Sequence, residues 1–298
     1  MDFERQFGTE TRCRAYLFTL RWPEGFRCPR CGSGKAWART GRPLLKCATC
    51  GHHASVTAGT IFHRSHQSLR VWFSAIWWMV AQKSGGSAAG LQQALGLGSY
   101  RTAWLMLHKL RRAMVRPGRE PLTGAVEVDD AFIGGVEPGV KGRETLKKAK
   151  IAVAVEVPRN RHLGRVRLQH LRDFSAASLV PFVQASVTRK ARVVTDGWLG
   201  YESLRAKGYR HTRKVSPPGT PNRLLPHVHL IISLLKRWLL GTHQGRVEVK
   251  HLPRYLDEFA FRFNRRTSRH RGQLFHRVLQ HAVALPSTPY RAVVQGRA

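Results

Sequence analysis

The chain of 298 residues is 42% hydrophobic and 9% aromatic, which is enough for a core and leaves room for one large domain with appendages or for two or three small ones. Its 51 lysine and arginine residues stand against 17 aspartate and glutamate residues, a formal net charge of +34. This excess favours nucleic acid as the partner. The lack of an apolar run of about 18 residues and of a secretory signal argues against a membrane or exported protein.

The first domain, residues 1–60, carries two Cys-x-x-Cys pairs with fifteen residues between them. Four thiolates at this spacing close a tetrahedral Zn²⁺ site in a reducing compartment, and a glycine after each pair permits the tight turn of a zinc ribbon. Two disulfides are the alternative, which an exported protein would favour. We predict a structural rather than a catalytic zinc, because all four ligand positions are filled, by Cys28, Cys31, Cys47 and Cys50.

Residues 61–120 contain three segments with apolar residues at helical spacing, over 68–80, 87–95 and 99–114, and glycines separate them. Two short helices around a glycine turn, followed by a basic helix, resemble a helix-turn-helix DNA-binding domain. An ordinary small bundle with a solvated basic face is the alternative. The DNA-binding residues that we predict on the third helix are Ser99, Arg101 and Thr102 at base edges, with Arg111 and Arg112 on phosphates.

The stretch from Val126 to Gly135 has the pattern of a buried strand, with apolar residues at alternate positions and two glycines at its end, yet it contains three acids. Because side chains alternate in a strand, Glu127 and Asp129 share one face while Asp130 points to the other. A carboxylate in a sheet core must be paired or must bind a cation, because an isolated buried charge is very costly. Solvated or salt-bridged acids at a strand end are the alternative.

The rest of the third domain, residues 121–266, alternates strands and helices. We predict strands at 151–157, 165–168, 191–198 and 209–215, and helices at 175–187, 198–207 and 227–240. This order is that of a ribonuclease-H-like α/β fold, a mixed sheet flanked by helices. In such a fold, adjacent central strands bring their acids together.

Three blocks of this domain, and the order of domains along the chain, resemble bacterial insertion-sequence transposases of the ISXO type. The blocks are Val126–Asp129, Thr195–Tyr201 and His229–His243, and the segment Tyr255–Arg266 resembles the end of the same core. Those enzymes combine a zinc ribbon, a helical DNA-binding segment and a ribonuclease-H-like domain of the DDE superfamily. The resemblance implies that Asp129 and Asp196 bind a catalytic Mg²⁺ or Mn²⁺ ion.

The third block departs from the usual form of the superfamily, because His229 stands where most members have a glutamate seven residues before a lysine, here Lys236. Seven residues are about two helical turns, so both side chains face the same way. Some branches of the family use asparagine or histidine at this position. The resemblance therefore implies that His229 completes the metal shell, which Mn²⁺ tolerates better than Mg²⁺, and that Lys236 holds a phosphate. A surface histidine is the alternative, with His227 and His243 as nearby alternatives for the ligand, and Glu127 is a further candidate ligand.

The resemblance implies a DNA transposase that binds the terminal repeats of an insertion sequence, cuts the DNA there and joins the free ends to target DNA. It also implies a homodimer or a larger synaptic assembly. Two other functions stay open: a non-catalytic DNA-binding regulator derived from a transposase, and a structure-specific nuclease that cuts without joining. We expect a cytoplasmic, nucleoid-associated bacterial protein with no membrane partner, and a basic C-terminal tail at residues 267–298.

Overall fold

The computed structural model describes residues 2–39, 41, 43–116, 118–135, 137, 139, 145, 147–157, 163–215, 224–245 and 247–297. The chain divides into two compact units, Met1–Arg116 together with Ser268–Ala298, and Pro117–Thr267. The first unit holds the cysteine pairs and the predicted helix-turn-helix, and the second holds the predicted catalytic residues. No helix in the described ranges is long and apolar enough to cross a lipid bilayer.

The first unit begins with two helices that the sequence analysis did not predict, α1 (Phe3–Phe7) and α2 (Glu10–Arg21). Side-chain caps explain where they start, because Asp2 and Thr9 accept backbone N–H groups three residues further on. The described residues that follow form an antiparallel sheet in the order β1-β2-β3. Its strands are β1 (Ala36–Ala38), β2 (Leu45–Cys47) and β3 (His53–Ala54).

Three helices come next, α3 (Leu69–Ala81), α4 (Ala88–Leu95) and α5 (Tyr100–Ala113), and they confirm the three helices predicted from apolar spacing. The hydroxyls of Ser68 and Ser87 cap α3 and α4. Gly96 ends α4 with φ of +60°, a left-handed conformation that costs glycine little. Across this turn α4 packs against α5, which is the pairing that a helix-turn-helix requires.

In the described part of the second unit, five strands form one mixed sheet in the order β6-β5-β4-β7-β8. β4 pairs antiparallel with β5, and β5 with β6, whereas β4, β7 and β8 run parallel. This arrangement confirms the predicted mixed sheet. The strands are β4 (Ala125–Ile133), β5 (Ala149–Glu156), β6 (Val166–Leu171), β7 (Arg192–Thr195) and β8 (Arg210–Arg213).

Helices cover both faces of this sheet. One face carries α6 (Ala176–Ser186) and a 3₁₀ helix (Leu199–Leu204), and the other carries α7 (Pro226–His243), a 3₁₀ helix (Val249–His251) and α8 (Leu252–Asn264). Alternation along the strands decides which side chain meets which helix: Val153 of β5 packs with α7 and α8, whereas Ala152 packs with α6. On β4, Val128 joins the α6 side. Glu127 and Asp129 therefore point to the α7 side.

The residues predicted as a basic C-terminal tail contain α9 (Arg271–Ala284) and α10 (Tyr290–Val294), so that prediction is wrong. In the first unit α9 packs against α2, α3 and α5. The ring of Phe275 lies 5.2 Å from that of Phe7 and 5.6 Å from that of Phe73, between centroids. The apolar residues of α9 do follow helical spacing, but many arginines and histidines surround them and hide the pattern. The buried positions of α9 are Leu274, Phe275, Val278, Leu279 and Ala282.

Candidate functional site

The four cysteines of the ribbon lie together in the first unit, with all sulfur atoms within 4.8 Å of one another. The Sγ atoms of Cys28 and Cys50 are 3.7 Å apart, and those of Cys31 and Cys47 are 3.6 Å apart. Tetrahedral zinc with Zn–S bonds of about 2.3 Å separates its sulfur ligands by about 3.8 Å. A disulfide would require about 2.05 Å, and all five cysteines of the chain are free. The cluster therefore fits structural zinc.

Each cysteine pair forms a tight turn that points backbone amides at sulfur. Gly32 and Gly51, which follow the two pairs, have φ of +74° and +69°, and their N–H groups donate to the carbonyl oxygens of Cys28 and Cys47 at 2.9 and 3.1 Å. Only glycine adopts such φ values at low cost. Hydrogen bonding from the Cys50 amide lowers the pKa of Cys47 to about 6. This thiol is thereby prepared as a thiolate, the form that binds metal.

In the second unit, the register of β4 and β7 relates Asp129 to Asp196. The two strands run parallel and pair Glu127 with Val194. Two residues further along each strand come Asp129 and Asp196, which continue the same face because the side-chain period is two. Asp196 directly follows the last residue of β7. Both acids therefore lie at the same height along adjacent strands, on the face of the sheet that α7 covers.

His229 of α7 contacts Asp129 directly. Its Nε2 lies 3.0 Å from Oδ2 of Asp129, and the other oxygen of Asp129 accepts the backbone N–H of Asp130 at 2.9 Å. The side chain of Asp129 is 12% exposed and that of His229 is 32% exposed. Adjacent ligands of an octahedral ion, at about 2.1 Å from the metal, are about 3.0 Å apart. The two side chains therefore have the spacing of neighbouring ligands on one ion, which is also that of a hydrogen bond.

Asp196 and Lys236 stand further from this contact. Among the described residues, only the four cysteines bring three or more candidate ligand atoms within 4.8 Å of one another, so Asp196 does not close a compact trio with Asp129 and His229. Oδ1 of Asp196 accepts the backbone N–H of Trp198 at 3.0 Å. Lys236 is exposed two turns along α7 from His229. One carboxylate oxygen of Asp196 is thus engaged by its own turn.

Tyr201, a fully buried residue that the sequence analysis did not single out, lies beside the acids. Its hydroxyl donates to Oδ1 of Asp130 at 3.3 Å, on the α6 side of the sheet. Burial, followed by the charges of Asp130, Asp129 and Asp196, raises the pKa of Tyr201 well above 10. The three carboxylates thus act on one phenol, which stays neutral and remains a hydrogen-bond donor.

Glu127 closes the start of α7. Its Oε2 accepts the backbone N–H groups of His227 and Val228 at 2.9 and 3.0 Å, and its Oε1 lies 2.8 Å from Nδ1 of His227. Both oxygens of Glu127 are engaged in this way, which argues against the predicted role as a further metal ligand. The sequence did indicate that α7 needs a cap from elsewhere. The residue before Pro226 is a leucine, which has no side-chain oxygen to cap a helix.

The predicted DNA-binding residues of α5 fall into two groups. Ser99 and Arg101 are exposed at the start of the helix, Thr102 is half-buried there, and the Ser99 side chain makes no capping bond. Arg111 is 1% exposed, so the prediction that it contacts phosphate is wrong. Arg112 donates to the carbonyl of Pro286 at 3.3 Å and to the hydroxyl of Thr288, so its guanidinium serves the fold of the first unit. Sequence spacing could not reveal these contacts, because α9 and its flanking segment cover the end of α5.

Comparison with known protein families gives two separate matches along the chain. Residues 8–53 match the model of a transposase zinc-ribbon domain, and residues 121–264 match that of an ISXO2-like transposase domain. A protein of Halobacterium salinarum, named as an uncharacterized protein in transposable element ISH50, is 28% identical to this chain. The match covers 87% of this chain and 92% of that protein. Because this relative is archaeal, the bacterial source expected from the sequence stays a prediction.

Proposed function

Because the chain belongs to the ISXO2-like transposases, with their zinc ribbon and their DDE-type transposase domain, we propose that it binds the ends of an insertion sequence and catalyses cleavage and strand transfer there. The observation that carries the proposal is the contact between Asp129 and His229 beside Asp196. These three side chains come from β4, from α7 and from the end of β7, the elements that hold the three blocks of the sequence resemblance.

Asp129, Asp196 and His229 are the residues that would hold Mg²⁺ or Mn²⁺. Divalent ions bound there would stabilise the attacking and leaving oxygens of a phosphodiester displacement. An imidazole ligand favours Mn²⁺ over Mg²⁺. The 3.0 Å spacing of Asp129 and His229 fits a shared ion, and the exposed ammonium group of Lys236 can attract a phosphate to the same side of α7.

The reaction has two steps of the same kind. In the first, water attacks the phosphorus at the element end, the bond from phosphorus to the 3′ oxygen breaks, and a 3′ hydroxyl and a 5′ phosphate result. In the second, that 3′ hydroxyl attacks a phosphodiester of the target DNA, so that one phosphodiester forms as another breaks. No oxidant or energy source is needed. The role of the chain is to bind both DNA segments and to hold the reacting phosphate beside Asp129.

In this proposal the first unit recognises the DNA ends. Ser99, Arg101 and Thr102 at the start of α5 would contact base edges, where short polar and arginine side chains read sequence. Because two element ends must be held together for joining, we propose a homodimer or a larger assembly. The zinc ribbon would add further contacts to the DNA backbone through its basic residues.

A strand-transfer assay with a pre-cut terminal-repeat duplex, a target duplex and Mg²⁺ or Mn²⁺ tests the proposal. We expect metal-dependent joining by the wild-type chain and its loss in Asp196→Asn, with end binding retained. Glu202→Gln is the matched control, because Glu202 is an exposed carboxylate of the same unit. Specific binding without metal-dependent cutting would instead indicate a regulator, and cutting without joining would indicate a nuclease.

A further inference from the structure

A cleft of about 1030 Å³ opens in the second unit where β4, β7 and β8 begin. Basic side chains dominate its polar lining. Arg189, Lys190, Arg192, Arg210 and Lys214 all line the cleft, and all are exposed. None of the residues proposed to hold the catalytic metal lines it. The cleft is therefore a second charged feature of this unit, separate from the site at Asp129.

Two acids also line the cleft, and the protein engages both. Glu156 accepts hydrogen bonds from the Arg165 guanidinium at 2.6 and 2.9 Å and from the Thr123 backbone N–H at 2.9 Å. Glu127 is held by the start of α7, as described above. Because Glu156 is paired with the Arg165 cation, Glu127 is the acid of this lining that is left to set against the five exposed cations. The cleft consequently presents positive charge to solvent.

These cations lie at positions where they destabilise the folded state. Arg192 of β7 and Arg210 of β8 are direct register partners in neighbouring parallel strands, and like charges directly opposite each other destabilise a sheet. Lys190 has φ of +65°, a left-handed conformation that is unfavourable for any residue with a Cβ atom. A bound polyanion would relieve the repulsion between the two arginines. The facing arginines thus favour a polyanionic ligand.

We propose that this cleft binds the phosphate backbone of duplex DNA, as a contact additional to the start of α5. The inference rests on the proposed function, since it takes DNA as the substrate. Arg192 precedes Asp196 by four residues on the same face of the strand, which is about 13 Å. Arg192 and Asp196 are therefore close enough for one duplex to reach both. Lysine and arginine on phosphates carry no sequence information, so the contact serves any DNA sequence.

The test is the salt dependence of binding between the full-length chain and a duplex that lacks terminal repeats. Arg192→Gln combined with Arg210→Gln removes the facing pair. We expect the plot of log affinity against log salt to become shallower by about 1.8, because each phosphate contact contributes about 0.9. We also expect the thermal midpoint to stay the same or to rise, since the repulsion between the two strands is removed. A purely structural pair would lower that midpoint instead.

The control replaces two exposed cations of the same unit outside the cleft, Arg172→Gln with Lys207→Gln. It should keep the wild-type slope. If the cleft variant keeps the wild-type slope too, the proposal is overturned, and an acidic protein segment would be one occupant consistent with that result. If the first variant does not fold, Arg189→Gln with Lys214→Gln gives the same test at positions outside the strand pairing.

Asp196→Asn separates this inference from the proposed function. The variant keeps every cation of the cleft, so its salt slope should equal that of the wild type while joining is lost. Joining by Asp196→Asn would refute the catalytic assignment and leave the cleft untouched. Conversely, an unchanged slope in the cleft variants would refute the cleft and leave the catalytic assignment untouched.

Discussion

The carboxylate of Glu127 holds His227 at two points, its ring nitrogen at 2.8 Å and its backbone N–H at 2.9 Å. Leu225, at the N-cap of α7, makes no side-chain capping bond. A carboxylate from the central strand therefore takes the place of a cap, and its charge complements the positive end of the helix dipole. The start of α7 is fixed in this way two residues before His229, the residue that contacts Asp129.

We predict that Glu127→Ala lowers the free energy of unfolding by about 2 kcal/mol, because the N–H groups of His227 and Val228 lose a buried partner. Strand cleavage at saturating DNA should fall as well, since the start of α7 is no longer held against β4. Urea denaturation and single-turnover cleavage measure the two effects. Glu127→Gln retains one acceptor oxygen and should recover part of both. Full activity in Glu127→Ala would show that this contact does not position His229.

We predict that His229→Ala reduces metal-dependent cleavage by at least about 10²-fold. Replacing a residue that only orients a metal ligand typically lowers activity by about 10- to 100-fold, and replacing the ligand itself should lower it further. His229→Glu restores the carboxylate that most of the superfamily has at this position, and it should shift the metal preference toward Mg²⁺. Cleavage rates in Mg²⁺ and in Mn²⁺ measure both changes. Leu230→Ala, at an exposed neighbour on α7, is the control. Unchanged rates in His229→Ala would remove the histidine from the proposed site.

We predict that Cys47→Ser abolishes stoichiometric zinc and unfolds the ribbon, because a structural site contributes its binding free energy to folding. Atomic absorption gives the zinc content, and circular dichroism follows the unfolding. A strong chelator should reproduce the effect in the wild type. Cys13→Ser is the matched control, because Cys13 is buried and donates to the Phe7 carbonyl at 3.3 Å, away from the cluster. Zinc at the wild-type level in Cys47→Ser would contradict a four-cysteine site.

We predict that Arg101→Gln lowers DNA affinity without lowering thermal stability, and that Arg112→Gln does the reverse. Arg101 is exposed, with its guanidinium 5.1 Å from the Tyr290 ring, so its loss should weaken binding to terminal repeats by about 1–3 kcal/mol and barely change the thermal midpoint. Arg112 is bonded to Pro286 and Thr288, so its loss should lower the midpoint and leave DNA affinity nearly constant. Fluorescence anisotropy and differential scanning calorimetry measure the two quantities. Equal loss of affinity in both variants would restore the predicted phosphate role of Arg112.

The fold was predictable wherever one period dominated a stretch of sequence. The apolar alternation around Asp129 predicted β4, and the apolar spacing from Ser68 onward predicted α3. The helix α9 was missed because its buried residues are interleaved with arginines and histidines that suggested a solvated tail. Arg111 was misjudged for a related reason: its charge suggested solvent, and the burial comes from packing that the sequence does not encode locally.

The candidate site was predictable only in part, because its contacts join distant segments. Asp129 and Asp196 lie at the same height along adjacent strands because β4 and β7 pair in parallel register, and the resemblance already pointed to both acids. The engagement of Glu127 with α7 required the helix to be seen across the sheet, 100 residues further along the chain. No local pattern could have paired Tyr201 with Asp130 either.

Tyr201 makes the stability of the protein depend on pH in the alkaline range. Its pKa lies well above 10 in the folded state, so near pH 10 the folded chain keeps a proton that the unfolded chain loses, and stability must fall as the pH rises further. Tyr201→Phe removes this titration together with the bond to Asp130. At neutral pH we expect the variant to be less stable by about 1 kcal/mol. That difference should shrink as the pH increases above about 10, because only the wild type loses stability through this group.

Urea denaturation at a series of pH values measures the difference in stability between Tyr201→Phe and the wild type. Tyr100→Phe, at an exposed tyrosine, is the control, and its stability should run parallel to that of the wild type. A difference that stays constant through the alkaline range would mean that Tyr201 does not carry this effect.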